Sequence, residues 1–423
     1  MNILKNNGIF AFICSNKFTK AKYGEKLRKL ILNNQLRIYN DYTGVKVFKE
    51  ASVDTCVIQI KKDHVKDNKV FVNNEYYMEQ NRLDYNSFTF NSPEVLNLRD
   101  KILNQGTLIK DLDIQINYGI KTGFNNAFII DEETKNRLIK EDFNNKEIIK
   151  PLLRGRDINK WKISYKKLYL IHSYDGLNTK ERYPVVYDYL SKFKENLEKR
   201  YDKGKEWYNL RACNYDDLFE KEKLIYPNIA HGLYPVYDDN KYYTNQKCFI
   251  LTSNTINLKY LNGLLSSNVL NFIFQLIGSN LGNKGFDLNK IFIEQLPIIL
   301  EPNKYDEIIK LINNLLKASN EIVYNEQIFF DFLEKNLFIN KLSKKIEKFY
   351  LLSEKEFLKE IKKKNKNINE ANILNKFNSI NSKITFLRLE LKNNEKELNK
   401  LIYKLYNLNK NEIKIIENLI FLD

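Results

Sequence analysis

The sequence has few of the residues that build metal centres, disulfide frameworks or sharp breaks. Four cysteines, Cys14, Cys56, Cys213 and Cys248, stand far apart with no Cys-x-x-Cys, and only three histidines occur, His64, His172 and His231. This speaks against zinc knuckles, a His-rich metal site and a secreted disulfide scaffold, and it fits a reducing cytoplasm. No run of about 18 apolar residues exists, so no membrane span is expected. The short apolar stretch Ile9–Cys14 lacks the small-residue cleavage pattern of a signal peptide. There is no Gly-x-Ser-x-Gly, no His-Glu-x-x-His and no Pro-Pro, which leaves no hydrolase constellation to defend. Glycine is confined: all 14 lie before residue 300, and Pro302 alone interrupts residues 301–423.

The residues present in quantity set the scale. The 423 residues are 43% hydrophobic, enough for real cores and against global disorder. The length predicts two or three domains. Lys plus Arg number 69 and Asp plus Glu 53, a net charge of +16. That balance favours a polyanionic partner, most simply nucleic acid. An AT-rich genome produces the same lysine, asparagine and isoleucine bias, so charge alone does not decide.

The glycine-free stretch reads as helix. Its apolar residues Ile308, Ile309, Ile312, Leu315 and Leu316, then Leu387, Leu391, Leu398, Leu401, Ile402 and Leu405, step by threes and fours along one face. Lys362–Asn369 reads as a polar joint. The tail carries +5 and the first 300 residues +11, so the larger basic excess lies outside the tail. At the other end, Gly8–Cys14 predicts a strand buried on both faces. Tyr23–Leu32 predicts an amphipathic helix, and Leu36–Tyr39 and Val53–Ile60 two more strands. This is the end of an α/β sheet rather than a complete domain. Residues 66–100 read as a connection, and 110–300 as mixed strands and helices punctuated by turns. No internal repeat is visible, which disfavours an architecture of two similar halves.

Four clusters carry candidate chemistry. Asn117–Asn126 sets Gly119 and Gly123 around Lys121 and Thr122. Such a loop approaches phosphates closely, with Lys121 adding charge; an ordinary glycine turn explains it too, and the order is not that of a Walker A loop. Lys150–Asp157 flanks Gly155 with Arg154 and Arg156. These arginines either read guanine edges or grip phosphate, or one of them forms an internal pair with Asp157. Trp207–Arg211 with Lys221–Pro227, and Ser279–Phe286 with Glu294–Pro297, complete the set; Lys284 lies between Gly282 and Gly285. The 27 tyrosines and 26 phenylalanines serve base stacking or cores equally well.

In order, GIFAFICSNKF, YGEKLRKLI, VFKEASVDTCVI, NYGIKTGFNNAFII, IIKPLLRGRDI, WYNLR, KEKLIYPNI and IEQLPI form a series. It resembles the C-terminal half of adenine-N6 DNA methyltransferases of the TaqI-like and type IIG restriction–modification group. The resemblance spans most of the chain, and LIYKLYNLNKNEIKIIE is similar to the close of such enzymes. It implies an α/β remnant of a Rossmann-like methyltransferase sheet (1–65), a connection (66–109), an α+β DNA-recognition domain (110–300) and an all-α helical tail (301–423). It implies Phe48 as the wall against a flipped adenine, since the target nitrogen is not reachable within the stack; a core phenylalanine is the alternative. It further implies double-stranded DNA as partner, with Lys17, Lys121, Thr122, Arg154, Arg156 and Lys284 as contacts. Ser15–Lys17 would lie at the sheet's carboxyl edge, where ligands of α/β folds bind.

The departure is as informative. The group's glycine-rich S-adenosylmethionine loop and Asn-Pro-Pro-Tyr motif do not occur in this sequence, and no nuclease motif is identifiable. The resemblance therefore implies S-adenosylmethionine for a complete enzyme, and a missing or separate N-terminal methyltransferase half as partner. A stand-alone DNA-binding specificity subunit and an inactive remnant stay open, so the chain's status as an enzyme is undecided. The expected outcome of equilibrium binding with labelled S-adenosylmethionine is no retention by the chain alone. Micromolar binding would reveal a cofactor site that the motifs do not account for.

Overall fold

The computed structural model describes residues 1–48, 50, 53–63, 66–337, 339, 342–365 and 369–420. The expected strand, helix, strand and strand form as β1 (Ile9–Ser15), α1 (Glu25–Leu32), β2 (Gln35–Asp41) and β3 (Thr55–Lys61). The stretch read as a connection adds β4 (Lys69–Val72), β5 (Tyr76–Glu79) and helix α2 (Pro93–Leu103). Asn73 and Asn74 turn the β4–β5 hairpin at φ 53° and 58°, a left-handed geometry that asparagine tolerates. The sheet order is β1-β3-β2-β4-β5, with β2–β4 parallel and the other pairs antiparallel.

β1 departs from the expectation of burial on both faces. It pairs with β3 alone, and Ile9 through Ile13 are exposed. An apolar run is buried only where layers cover it, and among the described residues nothing covers this edge. The β1–β3 register also sets Cys14 opposite Cys56, with sulfurs 3.9 Å apart, a proximity that their spacing of 42 residues conceals. Arg28 fixes α1 from inside. Its buried guanidinium donates to the carbonyls of Phe18, Ala21, Tyr85 and Asn86, satisfying a buried cation without a carboxylate.

Two four-stranded sheets come next in the chain. One runs Val236–Asp238, Lys223–Pro227, Cys248–Thr252, Gln115–Tyr118; the other runs Tyr243–Thr244, Ile149–Leu153, Leu168–Ile171, Ile129–Ile130. Helices Leu258–Leu265 and Asn268–Ile277 pack on the first sheet. Their core is continuous with the tail: Leu224, Phe249, Leu261 and Phe272 share it with Ile308, Ile312, Leu398 and Ile402.

The tail is helical as its composition predicts. Pro302–Leu337 and Glu370–Leu405 are 36 residues each, and Glu354–Lys362 and Lys410–Leu419 are shorter. Ile308, Ile312, Leu315, Leu387, Leu398 and Ile402 are buried, as the three-and-four spacing requires. The expected polar joint ends one helix at Lys362 and starts the next at Glu370; residues 366–368 and 421–423 lie outside the described residues. No helix among the described residues is long and apolar enough to cross a membrane.

The N-terminal unit is fastened to helix Asn268–Ile277 by Lys20. Its amine donates to Leu276 O at 2.6 Å and Thr89 Oγ1 at 3.0 Å. The stem is partly open to solvent, but loss of hydration at the amine pushes its pKa down to about 7, with Arg99 and Arg28 adding to the shift. An unfolded lysine keeps its proton to about pH 10.4. Between pH 7 and 10 the unfolded state therefore binds more protons than the folded one, and stability rises with pH. Thermal melting should show this rise in the native chain and a flatter profile in Lys20→Met. Parallel profiles would remove Lys20 as the cause.

Candidate nucleic-acid interface

The glycine loops singled out in the sequence converge on one edge of the 110–300 region. Gly119 N donates to Cys248 O and Ile120 N to Thr244 O. A Cβ on Gly119 would lie 2.1 Å from Asn245 O, so no other residue fits this approach. Asn228 N takes the carbonyl of Lys247 at 2.8 Å. Gly155 seats on the same Lys247 O and against Pro227. Gly285, at φ +89°, lies against Ala230 O, where strand Phe286–Asp287 pairs with Ile229–Ala230. The hairpin Ser279–Asp287 then meets the N-terminal unit: Lys17 Nζ donates to Asn280 O at 2.9 Å and pairs with Asp54 at 3.1 Å. A cleft of about 210 Å³ opens there, lined by Asn16, Lys17, Asp41, Phe90 and Asn280 among others. It lies where β1 and β2 end, the sheet edge expected from Ser15–Lys17.

Each expected contact residue now has a setting. Phe48 stands in the β2–β3 loop and is 42% exposed, so the core alternative does not hold. Arg156 and Lys284 are exposed, and no ion pair engages either among the described residues. Arg154 is committed internally: its Nε and Nη2 donate to the Asp157 carboxylate at 2.9 and 2.8 Å. The Arg–Asp alternative is thus the observed geometry for Arg154, and it frees Arg156 to face outward. Lys121 pairs with Asp202 at 2.6 Å. Asp202 is held below its usual carboxylate range, first by the Lys121 hydrogen bond, and Arg211 adds to this. Thr122 is buried, with its hydroxyl donating to Asn125 Oδ1 at 2.6 Å. It shapes the loop from inside and presents no surface for a contact.

Two residues escaped sequence reading. Lys247 is exposed between the Gly119 and Gly155 loops, and no ion pair engages it among the described residues. It belongs to no glycine or arginine motif, so nothing local marks it. Arg200 is the other. Its buried guanidinium donates to Thr122 O at 2.7 Å, Trp207 O at 2.6 Å and Asn209 O at 2.9 Å, and it lies 4.7 Å over the Phe128 ring. Burial pushes its pKa down to about 10, opposed by Asp202. Arg200 joins two segments flagged separately, Asn117–Asn126 and Trp207–Arg211.

The glycine just before α1 opens no cradle for S-adenosylmethionine. Gly24 precedes α1 as a cofactor glycine would, but its Cβ position is filled by Phe18 O at 2.2 Å and by Arg28. No cradle opens there.

Family models match three parts of the chain. Residues 150–298 match the TaqI-like C-terminal specificity domain, residues 1–48 the Eco57I restriction-modification methylases, and residues 301–402 a domain of unknown function (DUF8810). Among curated relatives, the chain is 23% identical over 313 residues to type II methyltransferase M.BstVI of Geobacillus stearothermophilus, a match covering 64% of this chain and 54% of that protein. It is 26% identical over 230 residues to type II methyltransferase M.MjaIV of Methanocaldococcus jannaschii, covering 52% and 73%. The chain thus spans about half the length of the first of these relatives. The type IIL restriction-modification enzyme MmeI, solved in complex with DNA, aligns with 99% of this chain and 49% of its own at 13% identity and a TM-score of 0.49, a likeness too distant to carry the fold. The chain is similar to type II restriction–modification methyltransferases with a TaqI-like specificity domain, as the order of its motifs implied.

Arg200→Met leaves the Thr122, Trp207 and Asn209 carbonyls without their donor. It should cost about 3 kcal/mol in urea unfolding. Arg200→Lys should recover little, because one ammonium cannot span three acceptors in that geometry. A loss below roughly 1 kcal/mol would show that the loops hold without it.

Proposed function

We propose that this chain is the DNA target-recognition portion of an adenine-specific (N6) restriction–modification methyltransferase, binding duplex DNA sequence-specifically. The observation that carries the reading is the convergence of the glycine loops on one edge with Arg156, Lys247 and Lys284 turned outward. Cations at close-approach loops suit phosphates, and a bidentate arginine suits a guanine edge. Lys17 and Lys121, engaged by Asp54 and Asp202, would contact DNA by exchanging a carboxylate for a phosphate. Phe48, exposed in the β2–β3 loop, takes the role of stacking on a flipped adenine.

The N-terminal sheet is then the end of a Rossmann-like methyltransferase domain, and residues 110–300 and 301–423 are the recognition domain and tail. Methyl transfer draws on S-adenosylmethionine held by a separate half. The exposed apolar edge of β1, with Ile9, Phe10, Phe12 and Ile13, supports such a partner over a stand-alone specificity subunit, because open apolar strand edges drive association. A cytoplasmic setting follows from the substrate.

Titrating a labelled duplex with the chain across a salt series tests the reading. Log affinity should fall linearly with log salt, and Arg156→Ala/Lys247→Ala/Lys284→Ala should flatten the slope by about 2 to 3. Arg156→Ala alone should cost about 1–3 kcal/mol against a preferred sequence if it reads a base. Binding that is absent, or indifferent to salt, would end the proposal.

A further inference from the structure

The turn Arg154–Asp157 is held from outside its own domain. It leads into a hairpin in which Ile158–Asn159 pairs with Lys162–Ile163, closed by Lys160 and Trp161. Trp161 stands at φ +61°. That left-handed backbone is unfavourable for a bulky L-residue and persists only where the surroundings impose it.

The surroundings here are the two long tail helices. Trp161 Nε1 donates to the Glu395 carboxylate, which also pairs with Lys160 at 3.1 Å. Lys162 pairs with Glu326 at 2.5 Å. Trp161 is 4% exposed and Glu326 7%, so these bonds form in partly dehydrated surroundings, where a carboxylate is costly to leave unpaired. The helix that carries Glu395 reaches a second point. Asn399 Oδ1 and Tyr403 Oη accept from the backbone and side-chain nitrogens of Asn268, at the start of the helix that leads into the Ser279–Asp287 hairpin. The tail therefore grips the interface just after one recognition turn and just before another.

We infer that Glu395 and Glu326 are specificity-positioning residues: they set the pose of the Arg154–Asp157 turn on the DNA face without touching DNA. This rests on the DNA-binding reading above, and it gives the tail helices a task that their family description leaves open. A scaffold that only stabilised the fold would lower the melting temperature and leave sequence discrimination unchanged. A positioning residue changes discrimination in a protein that is still folded.

The test uses the full chain and a pool of duplexes with a randomised centre. The native chain first enriches a preferred duplex, and its affinity is compared with that for a scrambled duplex. Glu395→Ala and Glu326→Ala should each lower that ratio by roughly fivefold, with scrambled-duplex affinity and circular dichroism unchanged. Glu395→Gln, which keeps an acceptor for Trp161, should recover most of the loss. An unchanged ratio in folded variants overturns the inference. If Glu395→Ala does not fold, the exchange Lys162→Glu with Glu326→Lys decides: a native ratio only when both changes are present supports the coupling, and a lost ratio in that pair overturns it. A native chain that binds but enriches nothing, or does not bind, instead overturns the DNA-reading function itself.

Discussion

A guanidinium taken out of water must find acceptors for its fixed fan of donors, and this constraint organises the mixed α/β region around the Lys121–Thr122 loop. Among the described residues Arg200 has no bonded carboxylate; it is satisfied by three carbonyls from the 122 and 207–209 segments and by a further one at Leu197. Those segments cannot drift apart without stranding a buried cation. The Lys121–Thr122 loop is therefore tied to the core beneath it, although it lies on the surface. Arg28 repeats the device in the N-terminal unit, tying α1 to the 85–86 segment.

Beneath the Gly155 and Lys247 loops lies a buried ion pair. Lys223 and Asp238 pair at 2.7 Å, both fully buried. Burial pushes Lys223 down and Asp238 up, while their pairing opposes both shifts. The pair pins strand Lys223–Pro227 to its neighbour, and Pro227 and Asn228 carry the contacts that seat Gly155 and Lys247. Breaking such a pair is expensive even where forming it gains little. Its role here is to fix register, so that loops far apart in sequence meet on one edge.

Much of the architecture was legible because it follows from local rules. The tail had to be helical once glycine was absent and apolar residues recurred by threes and fours, and Ile308, Ile312, Leu398 and Ile402 are buried accordingly. The first three strands followed from β-branched and aromatic runs. β4 and β5 did not, because Lys69–Val72 and Tyr76–Glu79 are only four residues each within a stretch that reads as a connection, and the pairing of β4 with β2 is a long-range choice. β1 misled for a related reason. A continuous apolar run signals what a strand can bury, and whether it does so depends on layers that the run itself does not specify.

The candidate site divides along the same line. The sequence by itself determined which residue types were available: glycines that allow close backbone approach, arginines and lysines beside them, and the motif order that resembles a restriction–modification methyltransferase. Tertiary structure alone decided which cations are free. Arg154 and Arg156 are two residues apart and chemically identical, yet the 3₁₀ turn Gly155–Asp157 gives one to Asp157 and the other to solvent. Lys247 became a candidate, and Thr122 ceased to be one, through packing that no local pattern encodes. Charge pairing and burial are long-range properties, set by contacts between distant segments, such as the 263 residues that separate Lys17 from Asn280, and a local motif carries no record of them.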